Sequence, residues 1–183
     1  MLFRSDLKSG QTRVLDKSEW AWPAGFDWSP DGRWLAYSWA ASQHTSLIKV
    51  CEVATGKQHV VTRPVLQDVA PTFSPCGKFL YFLSYREFNP VYDNLHFDLG
   101  FPRGVKPFLV TLRKDTLSPF VPVAKAPEEK KDAKPKPVKV EIDFAGIESR
   151  VLAFPLPEGR YQQIAGVDGK VLFTSIQQIG RAH

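Results

Sequence analysis

The sequence predicts an all-β chain: an incomplete β-propeller of about three blades, each a four-stranded antiparallel sheet, carrying two long loop insertions. Three observations predict it. Phe26-Asp27-Trp28-Ser29-Pro30-Asp31-Gly32 recurs as Pro71-Thr72-Phe73-Ser74-Pro75-Cys76-Gly77, 45 residues later. Each copy runs straight into a short aromatic strand, residues 34–38 in the first and 79–84 in the second. A period in the 40s, with one tight turn and several strands per unit, is the mark of a propeller blade. The third observation is composition. Fifteen Pro and 12 Gly among 183 residues call for many turns and disfavour long helices.

The elements follow in order. Asp6-Leu7-Lys8-Ser9-Gly10-Gln11 matches Glu52-Val53-Ala54-Thr55-Gly56-Lys57, so the chain enters through the outer half of a preceding blade, with residues 12–16 as its last strand. Residues 25–29 are the inner strand of the first full unit. Pro30-Asp31-Gly32 is a turn, because Pro presets φ and Gly accepts a positive φ. Residues 33–39 are the second strand. In the third, 47–53, Leu47, Lys49, Cys51 and Val53 share one face and Ile48, Val50 and Glu52 the other. A hairpin turn at Ala54-Thr55-Gly56-Lys57 leads to the outer strand, 58–62.

Residues 71–74 and 78–84 start a second unit. Its third strand is delayed to 107–112 by an insertion over 85–106. Its fourth is delayed again by a Lys/Pro segment and falls in 138–144 or 150–154. Residues 162–174, turning at Asp168-Gly169, open a further blade. Gly77 to Gly169 is 92 residues, close to two periods, yet two insertions account for that spacing within one blade. The Trp residues at 20, 22, 28, 34 and 39 are expected between blades, where stacked sheets take large flat side chains.

Charge excludes one function class. Formal net charge is +5, but residues 125–139 hold six Lys against Glu128, Glu129 and Asp132. The surplus therefore sits in a Pro-rich, flexible insertion over 124–139, and the folded part is nearly neutral. A nucleic-acid footprint would be a basic stripe on a structured face. No run approaches the roughly 18 apolar residues of a membrane span. Cys51 and Cys76 have no metal spacing and suit a reducing cytoplasm. No cofactor is expected.

Both ends are expected to be non-native. Ile179-Gly180-Arg181-Ala182-His183 back-translates to ATC GGA AGA GCA CAC, and Met1-Leu2-Phe3-Arg4-Ser5 to GTG CTC TTC CGA TCT. These read as the two strands of sequencing-adapter DNA. The partial propeller is then residues 6–178, flanked by adapter remnants at 1–5 and 179–183.

Candidate chemistry is sparse. No Gly-x-Ser-x-Gly elbow occurs. Ser29 and Ser74 recur because the turn recurs, and a Ser hydroxyl before Pro bonds nearby backbone. Asp93, His96 and Asp98 are the one acid/His cluster. In a regular strand His96 and Asp98 would share a face and Asp93 would oppose them, short of the converging ligands a metal needs. No metal site and no catalytic residue is assigned.

Longer strings carry a family resemblance. Tyr85-Arg86-Glu87-Phe88-Asn89-Pro90-Val91-Tyr92-Asp93-Asn94, Phe97-Asp98-Leu99-Gly100-Phe101-Pro102 and Lys106-Pro107-Phe108-Leu109-Val110-Thr111-Leu112 resemble a propeller of the tricorn proteases and their bacterial homologues. Ile142-Asp143-Phe144-Ala145-Gly146-Ile147-Glu148-Ser149-Arg150-Val151 and Pro155-Leu156-Pro157-Glu158-Gly159-Arg160-Tyr161 extend the resemblance, which covers roughly residues 25–173. Cys76 stands where the family's turn has Asp.

The resemblance implies a large, cytoplasmic, homo-oligomeric serine peptidase, of which this is a segment of the second propeller. It implies a role in scaffolding and in gating peptide access to an active site elsewhere in the parent chain, whose catalytic Ser, His and Glu lie outside this sequence. Peptide substrates and the other domains of the parent are the implied partners, with no nucleic acid and no membrane. Tyr85, Arg86, Tyr92, Arg103 and Arg160 are the peptide-path candidates, since the planar Arg fork binds carboxylates bidentately. Two alternatives stand: a non-enzymatic protein-binding propeller of the periplasmic Tol-system type, and the gating propeller of a prolyl-oligopeptidase-like enzyme.

Overall fold

The computed structural model describes residues 1–87, 89–94, 98–100, 104–122 and 137–176. In chain order, β1 (Leu2–Ser5) and β2 (Thr12–Asp16) form a hairpin. Then β3 (Ala24–Trp28), β4 (Trp34–Ala40), β5 (Ser46–Glu52) and β6 (Gln58–Val60) make a four-stranded antiparallel meander. The next sheet takes β7 (Asp68–Phe73) and β8 (Phe79–Ser84). A small hairpin of β9 (Val91–Asp93) and β10 (Asp98–Gly100) interrupts it. The sheet resumes with β11 (Lys106–Thr111) and β12 (Val151–Ala153), in the order β7-β8-β11-β12. Finally β13 (Tyr161–Val167) and β14 (Lys170–Ser175) pair as a hairpin. Two whole blades and two half-blades make up the predicted three. Among the described residues no helix is long and apolar enough to cross a membrane.

The repeated turns hold their shape through the serines. Gly32 has φ 69° and Gly77 φ 68°, the left-handed conformation that favours glycine. The Ser29 hydroxyl accepts the Trp34 amide at 2.9 Å and donates to Asp31 Oδ1 at 2.6 Å. The Ser74 hydroxyl accepts the Lys78 and Phe79 amides at 3.2 and 3.0 Å, so the turn closes with Cys76 in the Asp position. Ahead of each turn the inner strand bulges, at Gly25 (φ 52°) and at Ala70 (φ 50°), again 45 residues apart. A Cβ on Gly25 would lie 3.2 Å from the Ala70 backbone, so the two bulges lie back to back. The bulge carries β7 back to Asp68, ahead of the expected start at residue 71.

The cores lie between sheets. Trp34, Ala36, Ile48 and Val50 on one face of the β3–β6 sheet meet Phe73, Leu80, Phe82, Phe108 and Val110 of the next. The other face of β4 and β5 presents Leu35, Tyr37 and Cys51 to Leu2 and Leu15 of the β1–β2 hairpin. On the far side of the second sheet Tyr81, Leu83 and Leu109 pack with Ile164 of β13. This is the alternation expected of strands buried on both faces.

The structure decides between two spans, sharpens one expected turn and corrects the placement of three Trp residues. The fourth strand of the second blade is Val151–Ala153, within the second of the two predicted spans. Residues 138–144 are instead a strap across the turns: Val140 is buried, its amide donates to Asp31 Oδ2 at 2.7 Å, and its carbonyl accepts Trp34 Nε1 at 3.4 Å. The Asp168-Gly169 turn is a two-residue hairpin with Val167 opposite Lys170, tighter than the Ser-Pro turns. Of the five Trp, Trp34 and Trp39 pack as expected, while Trp20, Trp22 and Trp28 are exposed. Trp20 and Trp22 sit in the β2–β3 connection, off the sheet faces. Trp28 lies on β3, which the β1–β2 hairpin leaves uncovered.

Candidate peptide-contact site at the insertion end

Connections in an antiparallel meander alternate between the two ends of a sheet. The Ser-Pro turns and the strap lie at one end. The 85–105 insertion and the β12–β13 connection lie at the other, and the four described candidate residues, Tyr85, Arg86, Tyr92 and Arg160, come from these two segments. Asp68, at the start of β7, organises this end. Its buried carboxylate accepts the Ser84 hydroxyl at 2.5 Å and Arg86 Nη2 at 2.5 Å. Its carbonyl accepts the Ser38 and Ser46 hydroxyls at 2.7 and 3.0 Å, joining the two sheets. Arg86 lies over the Phe82 and Phe108 rings, 5.4 and 5.3 Å from their centroids. Lys106 pairs with Glu87 at 3.0 Å where the insertion returns.

A cleft of about 300 Å³ opens beside this anchor. Tyr85, Gly104, Val105, Arg160, Tyr161 and Gln162 contribute to its wall. Val105 and Gly159 exchange backbone hydrogen bonds of 2.9 and 3.2 Å across its floor. A Cβ at Gly159 would come within 3.0 Å of the Tyr161 ring, so glycine lets that ring lie flat. Tyr161 donates its hydroxyl to Pro157 O at 3.0 Å and packs edge-on against Phe173 at 5.5 Å. The wall thus carries two phenol rings, a guanidinium and an amide side chain, a lining suited to an extended peptide.

Tyr85 and Arg160 therefore meet in one cleft. Arg86 stands behind it with its charge engaged by Asp68. Tyr92 is exposed on β9, outside the cleft wall. Arg103 lies outside the described residues, as does His96. Asp93 ends β9 and Asp98 begins β10, so the two do not share one strand but pair in register across two. Among the described residues, no three His, Cys, Asp or Glu converge as a metal site would require. Tyr161, Gln162 and the Val105–Gly159 bridge escaped sequence reading. Their one signal was the insertion boundary itself, since a chain leaving and rejoining a sheet must be pinned at both points.

Comparison with known proteins settles the family. The model of the tricorn protease second beta propeller domain matches residues 1–183. The chain belongs to that family. It is 37% identical over 168 residues to the "Tricorn protease homolog" of Saccharolobus solfataricus, covering 92% of this chain and 15% of that protein. It is 38% identical over 172 residues to the "Putative Tricorn-like protease C-terminal subunit" of Sulfurisphaera tokodaii, covering 94% of this chain and 19% of that one. The crystal structure of the tricorn protease superposes with a TM-score of 0.79 at 25% identity, over 97% of this chain and 17% of the other. This second-propeller segment thus spans under a fifth of those relatives.

Proposed function

We propose that this propeller segment belongs to a cytoplasmic, homo-oligomeric serine peptidase, and that it scaffolds the parent and gates peptides toward an active site elsewhere in that chain. The family match supports the parent's activity, because the relatives are named as proteases. The observation that carries the gating role is the cleft at the insertion end, where Tyr85 and Arg160 flank the Val105–Gly159 backbone bridge between the second blade and the opening of the third. Arg160 would orient a peptide carboxylate and the phenol rings would hold its side chains. Arg86 and Tyr92 flank the path, Arg86 by fixing the root of the insertion.

The test uses the full-length parent. Tyr85→Ala and Arg160→Ala should each lower kcat/KM several-fold for peptides of ten or so residues. A dipeptide-length fluorogenic substrate, too short to span the cleft and the active site together, should be cleaved at the unaltered rate. Equal loss on both substrates, or no loss on either, would reject gating at this cleft.

A further inference from the structure

The alternation of β8 runs on past the end of the strand. Leu80 and Phe82 face the first sheet, whereas Tyr81 and Leu83 face β13. Side chains of an extended chain alternate, so Ser84 and Arg86 belong on the first face and Tyr85 on the second. β8 ends at Ser84, paired with Asp68, and the residues beyond it need another hold. Residues 67 and 68 supply it. The Ser84 hydroxyl donates to Asp68 Oδ1 at 2.5 Å, the Tyr85 amide to the Gln67 carbonyl at 3.0 Å, and Arg86 Nη2 to Asp68 Oδ2 at 2.5 Å. The Arg86 amide and Nε also donate to the Ser84 hydroxyl, each at 3.1 Å. With Ser84 and Arg86 drawn to one buried carboxylate, and Arg86 lying over Phe82 and Phe108, Tyr85 is turned to the β13 side. There it joins Arg160 and Tyr161 in the cleft wall.

Asp68 is itself held from the first blade. The Ser46 hydroxyl accepts its amide at 3.1 Å and donates to its carbonyl at 3.0 Å, and the Ser38 hydroxyl donates to the same carbonyl at 2.7 Å. Every group in this clamp belongs to the two whole blades or to the root of the insertion. We infer that Asp68 is a positioning residue for peptide selection: it holds Tyr85 on the cleft wall through Ser84 and Arg86, and it ties that placement to the first blade. The inference rests on the gating reading above. The charge matters because a carboxylate holds a guanidinium about twice as strongly as a neutral acceptor does.

The test uses the full-length parent, with peptides of ten or so residues as substrate. Asp68→Asn keeps an acceptor for Ser84 but removes the charge that holds Arg86. It also leaves a buried guanidinium without its partner, a destabilising change. Asp68→Asn/Arg86→Met is therefore the second variant. It removes both charges together and lays an adaptable thioether over the Phe82 and Phe108 rings. Both variants should raise KM several-fold with kcat retained, as far as Tyr85→Ala does. Added to Tyr85→Ala, the double substitution should cause no further loss, because its effect runs through that ring. The Tyr85 amide should exchange hydrogen faster in Asp68→Asn/Arg86→Met, at an unchanged melting temperature. Kinetics unmoved by Tyr85→Ala itself would reject the cleft, and this inference with it. A loss in Tyr85→Ala with none in the two Asp68 variants would overturn the inference alone. So would losses that add in the triple variant, a fall in kcat in place of the rise in KM, or unchanged exchange at Tyr85. A double variant that fails to fold would make Asp68 a structural anchor only, which also overturns it.

Discussion

His59 shows what one side chain does when two segments meet over it. It lies flat on Phe144 of the strap, with ring centroids 3.7 Å apart and planes 9° apart, and Trp34 closes the cluster edge-on at 6.1 Å. Burial comes first in holding its pKa below the ordinary 6.5, and Lys57 adds to the shift while Glu52 opposes it. The folded state therefore prefers the neutral ring. As pH falls through 6.5 the unfolded chain takes up a proton before the folded one does, so stability drops from there down to the folded pKa and levels off below it. Melting temperature should fall across that window, and His59→Phe, which keeps the stack without the proton, should flatten the fall. An equal slope in the variant would reject the assignment. None of this was legible in sequence, where His59 reads as a lone surface residue of an outer strand. Asp68 was silent for the same reason: its partners Ser38, Ser46, Ser84 and Arg86 come from two sheets.

At the scale of elements, the repeat made both Ser-Pro turns legible to the residue, because a short motif with Pro and Gly constrains its own backbone. The strap was not legible. Residues 138–144 alternate like a strand, and only their partners decide that they cross turns and leave the sheet edge to Val151–Ala153. The two turn glycines separate these effects. They share nearly the same φ, but a Cβ at Gly32 meets nothing within 4 Å, whereas one at Gly77 would lie 2.8 Å from Val138 and 3.0 Å from Val140. Gly32→Ala should cost only the left-handed backbone penalty, about 1 kcal/mol. Gly77→Ala should cost about 1–3 kcal/mol more, the usual range for overpacking, because the added methyl pushes the strap off the turn. Urea denaturation of the two variants gives the difference, and equal losses would show that the strap does not bear on the turn.

For the whole molecule, the location of the cores sets how it unfolds. Fold class followed from period and alternation, since both depend only on chain neighbours. Which face meets which sheet did not, as the exposed Trp20, Trp22 and Trp28 show. A sheet buried on both faces has no core of its own, so each blade is held by the blades beside it. Phe82 belongs to the second sheet, is fully buried, and stacks on Phe108 at 5.7 Å within the cluster that also holds Trp34 and Ile48 of the first. Phe82→Ala should remove about 3–5 kcal/mol. Because the lost contacts straddle the interface, that loss should reach both sheets together. In hydrogen exchange the amides of β5 and β11 should speed up by similar factors, although only β11 shares a sheet with the substitution. Those of the β1–β2 hairpin, already weakly held on one face, should change least. Acceleration confined to β8 and β11 would mean that each sheet is stable by itself, and that nearest-neighbour packing does not govern the fold.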